Sequence, residues 1–314
     1  MNFINITIFI IIGILIYIHR IQPHNNTKPK KIDYYPKSYI YIESILSHLD
    51  KIGLRNKRIF AIQGCDKLCG KDSLFDYFRK YLGMNYRKYL PESYLINNES
   101  DCKIFLKKFF KKKKKIYFKK NIQNKNGIFL TDDLKIINRE IQKKNYCIIQ
   151  EEVTNIFLLN GFKINLRLYI TIFFQNGIQK WYLHPIGKCL YTEKPYNTNI
   201  IDYKSDITSL TKNNNPGLPF TTLELQNIIG DKNYSVLFKN IQNLIDVTKM
   251  IFMDQLNLPF NKKNTCFQLF GIDILFTNSF YPYLLEINKG PDMKYYCTKD
   301  ENLKKKILEF HDYL

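Results

Sequence analysis

Four segments of the chain carry apolar residues at helical spacing, with polar residues between them. In the second segment Leu74, Phe75 and Phe78 share one face, a pattern typical of a helix that packs against a core. Residues 64–70, which precede it, begin and end with glycine and are predicted to form a loop. The predicted helices are residues 39–52, 71–81, 101–110 and 236–256.

Short runs rich in Ile, Leu, Phe and Tyr predict β-strands over much of the remaining chain. Between two of these runs, Asn176-Gly177 is a hairpin signal, because Asn-Gly readily adopts positive φ. The polar stretch 205–222 is predicted to be a loop or partly ordered. The mixture of antiparallel hairpins and segregated helices predicts an α+β fold. The predicted strands are residues 58–63, 116–119, 127–131, 147–153, 163–174, 180–185, 266–276 and 283–287.

The N-terminus differs from the rest of the chain, since residues 3–18 are almost wholly apolar and just long enough to span a bilayer as a helix. A signal peptide is the alternative, but no Lys or Arg precedes the run and no small-residue cleavage site follows it. We therefore predict a transmembrane anchor over residues 1–20 and a linker over residues 21–36. Arg20 and three lysines follow the apolar run, so the positive-inside rule places the body of the protein in the cytoplasm.

The composition limits the classes of partner. A formal net charge of +20 attracts polyanions, namely nucleic acid, anionic lipid or acidic protein tails, although a solvated lysine-rich surface is the alternative. The lysine-rich stretch 107–120 is either a solvated helix end and loop or a surface that attracts an acidic protein tail. No recognised motif supports the third possibility, nucleic-acid binding. The seven cysteines include one close pair, Cys65 and Cys69, without the partners that a zinc site needs.

The last two predicted strands each contain one acidic residue in an apolar run, Asp273 in the first and Glu286 in the second. Asn288 follows Glu286 at i+2, so both side chains point to the same side of a strand. Burying a carboxylate is costly unless it meets a cation or a strong donor. The residues alone leave two interpretations open: a Mg²⁺ site that works with nucleotide phosphates, or carboxylates at strand ends beside lysines.

These strands, D-I-L-F and Y-L-L-E-I-N, resemble the closing strands of the ATP-grasp ligases, specifically those of the tubulin–tyrosine ligase family. The resemblance implies that Asp273, Glu286 and Asn288 hold Mg²⁺ on ATP. Further blocks follow the family order over residues 60–291. The block G-C-D-K-L-C-G-K-D-S-L, with P-E-S-Y-L-I after it, is similar to the family's early block and implies that Lys71 faces the nucleotide.

Two more blocks complete the resemblance. I-Y-F-K-K-N resembles the strand that bears an ATP-phosphate lysine, which implies this role for Lys119, with Lys120 as the alternative. I-I-Q-E-E-V is similar to the hinge strand and places Gln150 near the adenine. K-I-N-L-R-L-Y resembles the strand whose basic residues match Lys163 and Arg167, which lie on one face of a strand.

The chain departs from the family pattern at several positions. Asn165 stands where the family has Asp, and Glu151 replaces a hinge lysine. A family arginine falls on Leu190, with Lys188 nearby, and the H-L-T-N block falls on residues 209–212. The resemblance implies that these positions lie closer to the binding sites for the amino acid and the acceptor than to the Mg²⁺ site. The resemblance therefore implies nucleotide binding more directly than it implies a particular substrate.

Taken as a whole, the resemblance implies an ATP-grasp fold with mostly antiparallel sheets flanking a nucleotide cleft. We predict an N-terminal lobe over residues 37–112 and ATP-grasp central and C-terminal lobes over residues 113–314. The implied activity joins a free amino acid (Tyr, Glu or Gly) to a carboxylate of an acidic protein tail such as that of tubulin, with Arg167 and Glu286 as catalytic residues. The alternative is a catalytically impaired ATP- or tubulin-binding membrane adaptor.

Overall fold

The computed structural model describes residues 58–59, 62–110, 114–122, 127–209, 218–256, 265–291 and 305. The predicted anchor (1–20), the linker (21–36) and the first predicted helix (39–52) lie outside these residues. Within the described part of the chain, no helix combines the length and the apolar character needed to cross a membrane.

Two β-sheets form the framework of the protein, an eight-stranded sheet and a four-stranded sheet. The strands are β1 (Arg58–Ile59), β2 (Ser93–Leu95), β3 (Ile116–Lys119), β4 (Ile128–Thr131), β5 (Ile148–Glu151), β6 (Leu158–Leu159), β7 (Phe162–Gln175), β8 (Ile178–Leu183), β9 (Lys188–Thr192), β10 (Thr208–Ser209), β11 (Thr265–Phe276) and β12 (Pro282–Lys289). The helices are α1 (Cys65–Cys69), α2 (Lys71–Leu82), a 3₁₀ helix (Gly83–Lys88), α3 (Glu99–Phe109), α4 (Leu134–Lys143), α5 (Tyr203–Asp206), α6 (Thr222–Ile229) and α7 (Asp231–Phe252).

The large sheet has the order β1-β11-β7-β9-β10, with β12 beside β11, and β6 and β8 beside β7. Its pairs are antiparallel except for β1 with β11. Along β7 the even-numbered residues, such as Ile164 and Leu166, pack into the main core with α2 and α7. Because successive side chains of a strand point to opposite faces, the odd-numbered residues share the other face. That face carries the polar residues discussed below.

The small sheet has the order β2-β5-β3-β4 and is antiparallel throughout. It has its own apolar cluster, in which Phe118 of β3 and Ile149 of β5 pack with Phe105 of α3 and Ile137 of α4. Each sheet is thus covered by helices on one face, as the packing of amphipathic helices requires.

The mixture of helices and antiparallel strands confirms the predicted α+β class. The predicted hairpin turn is also confirmed, with φ of 52° at Asn176 and 80° at Gly177. The prediction of a loop over residues 64–70 was wrong, because Cys65–Cys69 forms a short helix that begins after Gly64, whose φ is 84°. The polar stretch 205–222 is more ordered than predicted at both ends, where α5, β10 and α6 lie, while residues 210–217 fall outside the described residues.

Candidate functional site

The candidate site lies where β7, β11 and β12 run side by side. Asp273 of β11 is directly opposite Arg167 of β7 on one side and Glu286 of β12 on the other. Directly opposite residues of antiparallel strands point to the same face. The register therefore brings these three predicted residues together on the face opposite the main core.

Arg167 and Asp273 form a buried bidentate ion pair. The Arg167 Nη2 donates to Asp273 Oδ2 at 2.8 Å, and its Nε donates to Oδ1. Burial lowers the pKa of Arg167, but the Asp273 charge outweighs it and the net shift is upward. Burial raises the pKa of Asp273 to about 6 against the opposing effect of Arg167. The guanidinium is thus fixed in place by its fork-shaped match to the carboxylate.

Glu286 has different partners. Its Oε2 lies 3.1 Å from Lys71 Nζ, and the side chain is 25% exposed. The Asn288 Nδ2 donates to its Oε1 at 3.0 Å. Burial raises the pKa of Glu286, but Lys71 and Asn288 outweigh it, and the pKa falls to about 2. This carboxylate is therefore ionised over the whole physiological pH range.

A small cavity adjoins this group. Three of the predicted nucleotide-binding residues line it, namely Lys71, Lys119 and Gln150. The Lys119 Nζ donates to Gln150 Oε1 at 2.6 Å, and Gln150 Nε2 donates to Ser93 Oγ at 3.1 Å. Burial lowers the pKa of Lys119 to about 8. The remaining lining is mainly apolar: Leu74, Phe75, Leu90, Ser93, Ile148, Leu284 and Leu285.

The structure separates the two lysines that the sequence left as alternatives. Lys119 points into the cavity, whereas Lys120 Nζ lies 5.2 Å from the centre of the Tyr146 ring. Adjacent residues of an extended chain point in opposite directions, which explains the difference. The geometry therefore favours Lys119 over Lys120 as the lysine that would contact a molecule bound in the cavity.

Lys163 lies on the same face of β7 as Arg167 but has other partners. Its Nζ donates to the Asp206 carbonyl oxygen at 2.8 Å and lies 3.4 Å from the Tyr117 hydroxyl. Burial lowers its pKa to about 8. Its positive charge acts on Lys119, which places Lys163 at the edge of the same electrostatic environment.

Two departures from the family pattern are neighbours in the structure. Asn165 of β7 is directly opposite Leu190 of β9, so both departures alter the same part of the large sheet. The Asn165 Nδ2 donates to Thr208 Oγ1 at 2.9 Å, but its buried Oδ1 has no hydrogen-bond partner among the described residues. Lys188, two residues earlier in β9, is opposite Arg167 and therefore on the site face.

Other polar residues near the site have structural roles. Glu151, the third departure, is buried and accepts hydrogen bonds from the Tyr94 hydroxyl and Lys114. His184 is buried 3.0 Å from Thr171 Oγ1, and burial lowers its pKa to about 4. Glu152 accepts a hydrogen bond from the Tyr196 hydroxyl.

The oxygen donors of the site suit a magnesium ion that arrives with a nucleotide. Such an ion takes one or two protein carboxylates and completes its coordination with water and phosphate oxygens. Asp273, Glu286 and Asn288 supply two neighbouring carboxylates and one amide. No group of three or more His, Cys, Asp or Glu side chains that could hold a metal is present among the described residues. The donors fit a metal shared with phosphate, not one held by protein alone.

Three residues of the site region were missed by sequence reasoning. Ser93 holds Gln150, and Lys115 and Asp206 form a buried ion pair beside Lys163. Lys115 belongs to the lysine-rich stretch, and nothing local distinguishes it from its neighbours. Ser93 lies within the P-E-S-Y-L-I block, which was the signal available for it.

The lysine-rich stretch is not uniformly solvated, which corrects one of its two interpretations. Lys108 and Lys114 both pair with Glu151, at 2.9 Å and 3.2 Å. Lys115 is buried against Asp206. Part of the positive charge is therefore neutralised within the protein.

Comparisons with known proteins identify relatives of this chain. A chain from Mus musculus described as "Probable tubulin polyglutamylase TTLL2" is 24% identical over 79% of this chain and 48% of its own length. "Probable tubulin polyglutamylase ttll-9" of Caenorhabditis elegans is 26% identical over 70% and 56%, and "Tubulin glycylase 3D" of Tetrahymena thermophila is 24% identical over 56% and 18%. The chain thus spans about half the length of the first curated relatives it matches. A sequence model of the Tubulin-tyrosine ligase family matches residues 54–311, and the chain belongs to this family.

Proposed function

We propose that this protein is an ATP- and Mg²⁺-dependent carboxylate–amine ligase of ATP-grasp architecture. It would join an amino acid to a carboxylate of an acidic protein tail, such as that of tubulin. The observation that carries the proposal is the shared cavity of Lys71, Lys119 and Gln150, whose Lys71 also bonds Glu286 of the carboxylate pair. Lysines beside apolar side chains are the kinds of residue that suit the phosphates and the base of a nucleotide.

The chemistry explains the need for ATP. A carboxylate does not react with an amine at neutral pH, because its oxygens are poor leaving groups. Transfer of a phosphoryl group to the carboxylate gives an acyl phosphate, which the amine attacks to give an amide, ADP and phosphate. Phosphoryl transfer requires positioning and charge neutralisation more than covalent help from the protein. Bound Mg²⁺ would supply part of that neutralisation.

The residues of the chain divide these tasks. Lys71, Lys119 and Lys163 would neutralise phosphate oxygens, and Gln150 would contact the base. Asp273, Glu286 and Asn288 would hold the metal. Arg167 would bind the acceptor carboxylate or its phosphorylated form, since its forked donors match carboxylate geometry.

The names of the relatives favour particular amino acids. Two of them are described as probable polyglutamylases and one as a glycylase. Glutamate or glycine is therefore supported more than tyrosine as the amino acid that is added. An assay with Mg²⁺, ATP, acidic tail peptides and labelled Glu, Gly or Tyr tests the proposal. We expect incorporation with release of ADP, and the absence of both would overturn it.

Glu286→Gln distinguishes the ligase from the catalytically impaired adaptor, which the uncharged Asn165–Leu190 pair favours. The substitution keeps the shape but removes the charge that faces Lys71 and the metal. We expect product formation to fall by about 100-fold or more, as when a charged contact to the transition state is lost, with acidic-tail binding retained. Glu193→Gln, at a 44% exposed side chain, is the matched control and should keep full activity. An adaptor would instead bind ATP, and show thermal stabilisation by it, without turnover in the unmodified protein.

We also propose that the N-terminus anchors the protein to a membrane with its body in the cytoplasm. The support is the apolar run and the lysines that follow it, both outside the described residues. Carbonate extraction of membranes from cells that express the full chain is the test. Release of the intact protein into the supernatant would contradict the anchor.

A further inference from the structure

The segment of residues 194–207, which we call the strap, joins β9 to β10 of the large sheet but bonds to the small sheet. The Tyr203 hydroxyl donates to the Ile128 carbonyl oxygen at 2.8 Å. Lys115, which lies just before β3, donates to the Asn197 carbonyl oxygen at 2.5 Å. The Tyr196 hydroxyl donates to Glu152, just after β5. The strap thus connects the two sheets.

Asp206 is the centre of these contacts, and it is 1% exposed. Its Oδ1 accepts from Lys115 Nζ at 2.7 Å, and its Oδ2 accepts from the Asp202 backbone N–H at 3.0 Å. Its carbonyl oxygen accepts from Lys163 Nζ at 2.8 Å. One residue therefore binds a lysine from each sheet.

Stability alone does not account for this arrangement. A buried ion pair gives up the hydration of both charges, so an apolar pair of similar volume is often as stable. The side chains of Lys115 and Asp206 are 4% and 0% exposed, so neither retains water to offset that loss. Unlike an apolar pair, the Lys115–Asp206 pair places a negative charge beside Lys163. It also fixes the Asp206 carbonyl oxygen, which accepts from the Lys163 ammonium.

We propose that Asp206 is a positioning residue for nucleotide binding, which holds the Lys163 ammonium in place on the site face of β7 while Lys115 holds Asp206. The proposal rests on the proposed ATP-dependent function. It extends that function to a residue pair outside the cavity lining. Asp206 itself would not touch the nucleotide.

The charges that face Lys163 support this role. Asp206 of α5 and Glu152 after β5 raise its pKa, whereas burial and Lys115 lower it, with a net value of about 8. The other titratable groups against it are the Tyr117 and Tyr196 rings, 5.3 Å and 5.9 Å from its Nζ, and its charge also acts on Lys119. Asp206 is the larger of the two favourable charges, so its removal lowers the pKa of Lys163 further.

The test is Asp206→Asn, with ATP–Mg²⁺ affinity measured by calorimetry between pH 6 and pH 9.5 on the full chain. The unmodified protein should lose affinity as the pH rises through about 8, where Lys163 and Lys119 lose their protons. In the variant the midpoint of this loss should move to lower pH by about one unit, the size of a shift caused by one close charge. A purely structural role would lower stability without moving the midpoint.

A second variant guards against failure of the first to fold, since Asp206→Asn leaves Lys115 buried without its anion. Lys115→Met with Asp206→Asn removes both charges and should fold. Its midpoint should also lie below that of the unmodified protein, but by less, because a repulsive charge goes together with the attractive one. Lys204→Met, which removes an exposed ion pair of the same helix, is the matched control and should leave the midpoint unchanged.

The outcomes separate the two proposals. If the unmodified chain binds no ATP, the proposed function fails. If it binds ATP and the double variant keeps the unmodified midpoint, the positioning role of Asp206 is overturned and the function stands. A downward shift in both variants, absent in Lys204→Met, supports the proposal.

Discussion

At the scale of single residues, Lys119 and Lys120 are adjacent in sequence but lie in different environments. Lys119 lines the cavity and bonds Gln150, whereas Lys120 packs over the Tyr146 ring. We expect Lys119→Met to weaken ATP binding by about tenfold or more, since a hydrogen bond to a charged group contributes about 1.5–3 kcal/mol. Lys120→Met should change the affinity by less than about twofold. Calorimetric titration of both variants with ATP–Mg²⁺ is the check, and equal losses would contradict the assignment.

The pH dependence of nucleotide binding follows from the same lysine. Burial lowers the pKa of Lys119 to about 8, so the ammonium that would meet phosphate is lost as the pH rises through that value. We therefore expect ATP affinity to be highest near pH 7 and to fall on the alkaline side. Lys119→Met should lose part of this dependence, and a pH-independent affinity in the unmodified protein would be inconsistent with lysine ligands.

The motifs predicted which residues would meet but not how they would pair. Asp273, Glu286 and Asn288 could be assigned because each lies in a short motif within a single strand, D-I-L-F for Asp273 and Y-L-L-E-I-N for the other two. The bidentate bond of Arg167 to Asp273 joins positions 106 residues apart and depends on the register of β7 with β11. Local patterns carry no information about register between distant strands, so neither this pair nor the Lys115–Asp206 pair could be predicted.

At the scale of elements, β11 contains a glycine that makes room for the site. A Cβ on Gly271 would lie 2.9 Å from Pro291 Cβ and 3.1 Å from Arg167 Cδ. We expect Gly271→Ala to displace Arg167 from Asp273 and to reduce ligase activity. Overpacking of this kind costs about 1–3 kcal/mol of stability. Thermal unfolding and the incorporation assay measure the two effects.

Gly177, at the turn between β7 and β8, is the matched control. Its φ is 80°, and nothing lies within 4 Å of an added Cβ. Gly177→Ala should therefore cost about 1 kcal/mol through backbone strain alone, with activity unchanged at temperatures where the variant is folded. Comparable losses of activity in both variants would show that the Gly271 effect reflects stability rather than the position of Arg167.

The elements that local patterns predicted best are the long ones. β11 and β12 were found within a few residues of their ends, because apolar runs of that length have few alternatives. The helix α1 was missed because its five residues lie between two glycines, and tertiary contacts such as the Lys289–Asp66 ion pair hold it against β12. The helix α4 was overlooked although Asp133 supplies an N-cap to Lys135 and Ile136.

At the scale of the whole molecule, the net charge of +20 remains the largest electrostatic feature. Since Lys108, Lys114 and Lys115 are paired within the protein, attraction of an acidic tail would depend on the summed field rather than on this stretch. We expect the association rate with an acidic peptide to fall by about tenfold between low and physiological salt. Stopped-flow measurements with a peptide of the same length but without acidic residues provide the control, and a salt-independent rate would contradict steering by charge.

In the site, Lys71 pairs with Glu286 and Arg167 pairs with Asp273, so each charged group already has a partner of opposite charge. Much of the water around these groups is already removed on folding, so the free-energy cost of desolvating them is part of folding and not of nucleotide binding. When a nucleotide binds together with a divalent cation, its phosphates would replace the carboxylates as partners of the basic side chains. The cation would replace the basic side chains as the partner of the carboxylates. A nucleotide without the cation would take the lysines and leave two carboxylates facing its phosphates. Under the proposed function, the metal would be required for nucleotide binding as well as for the reaction.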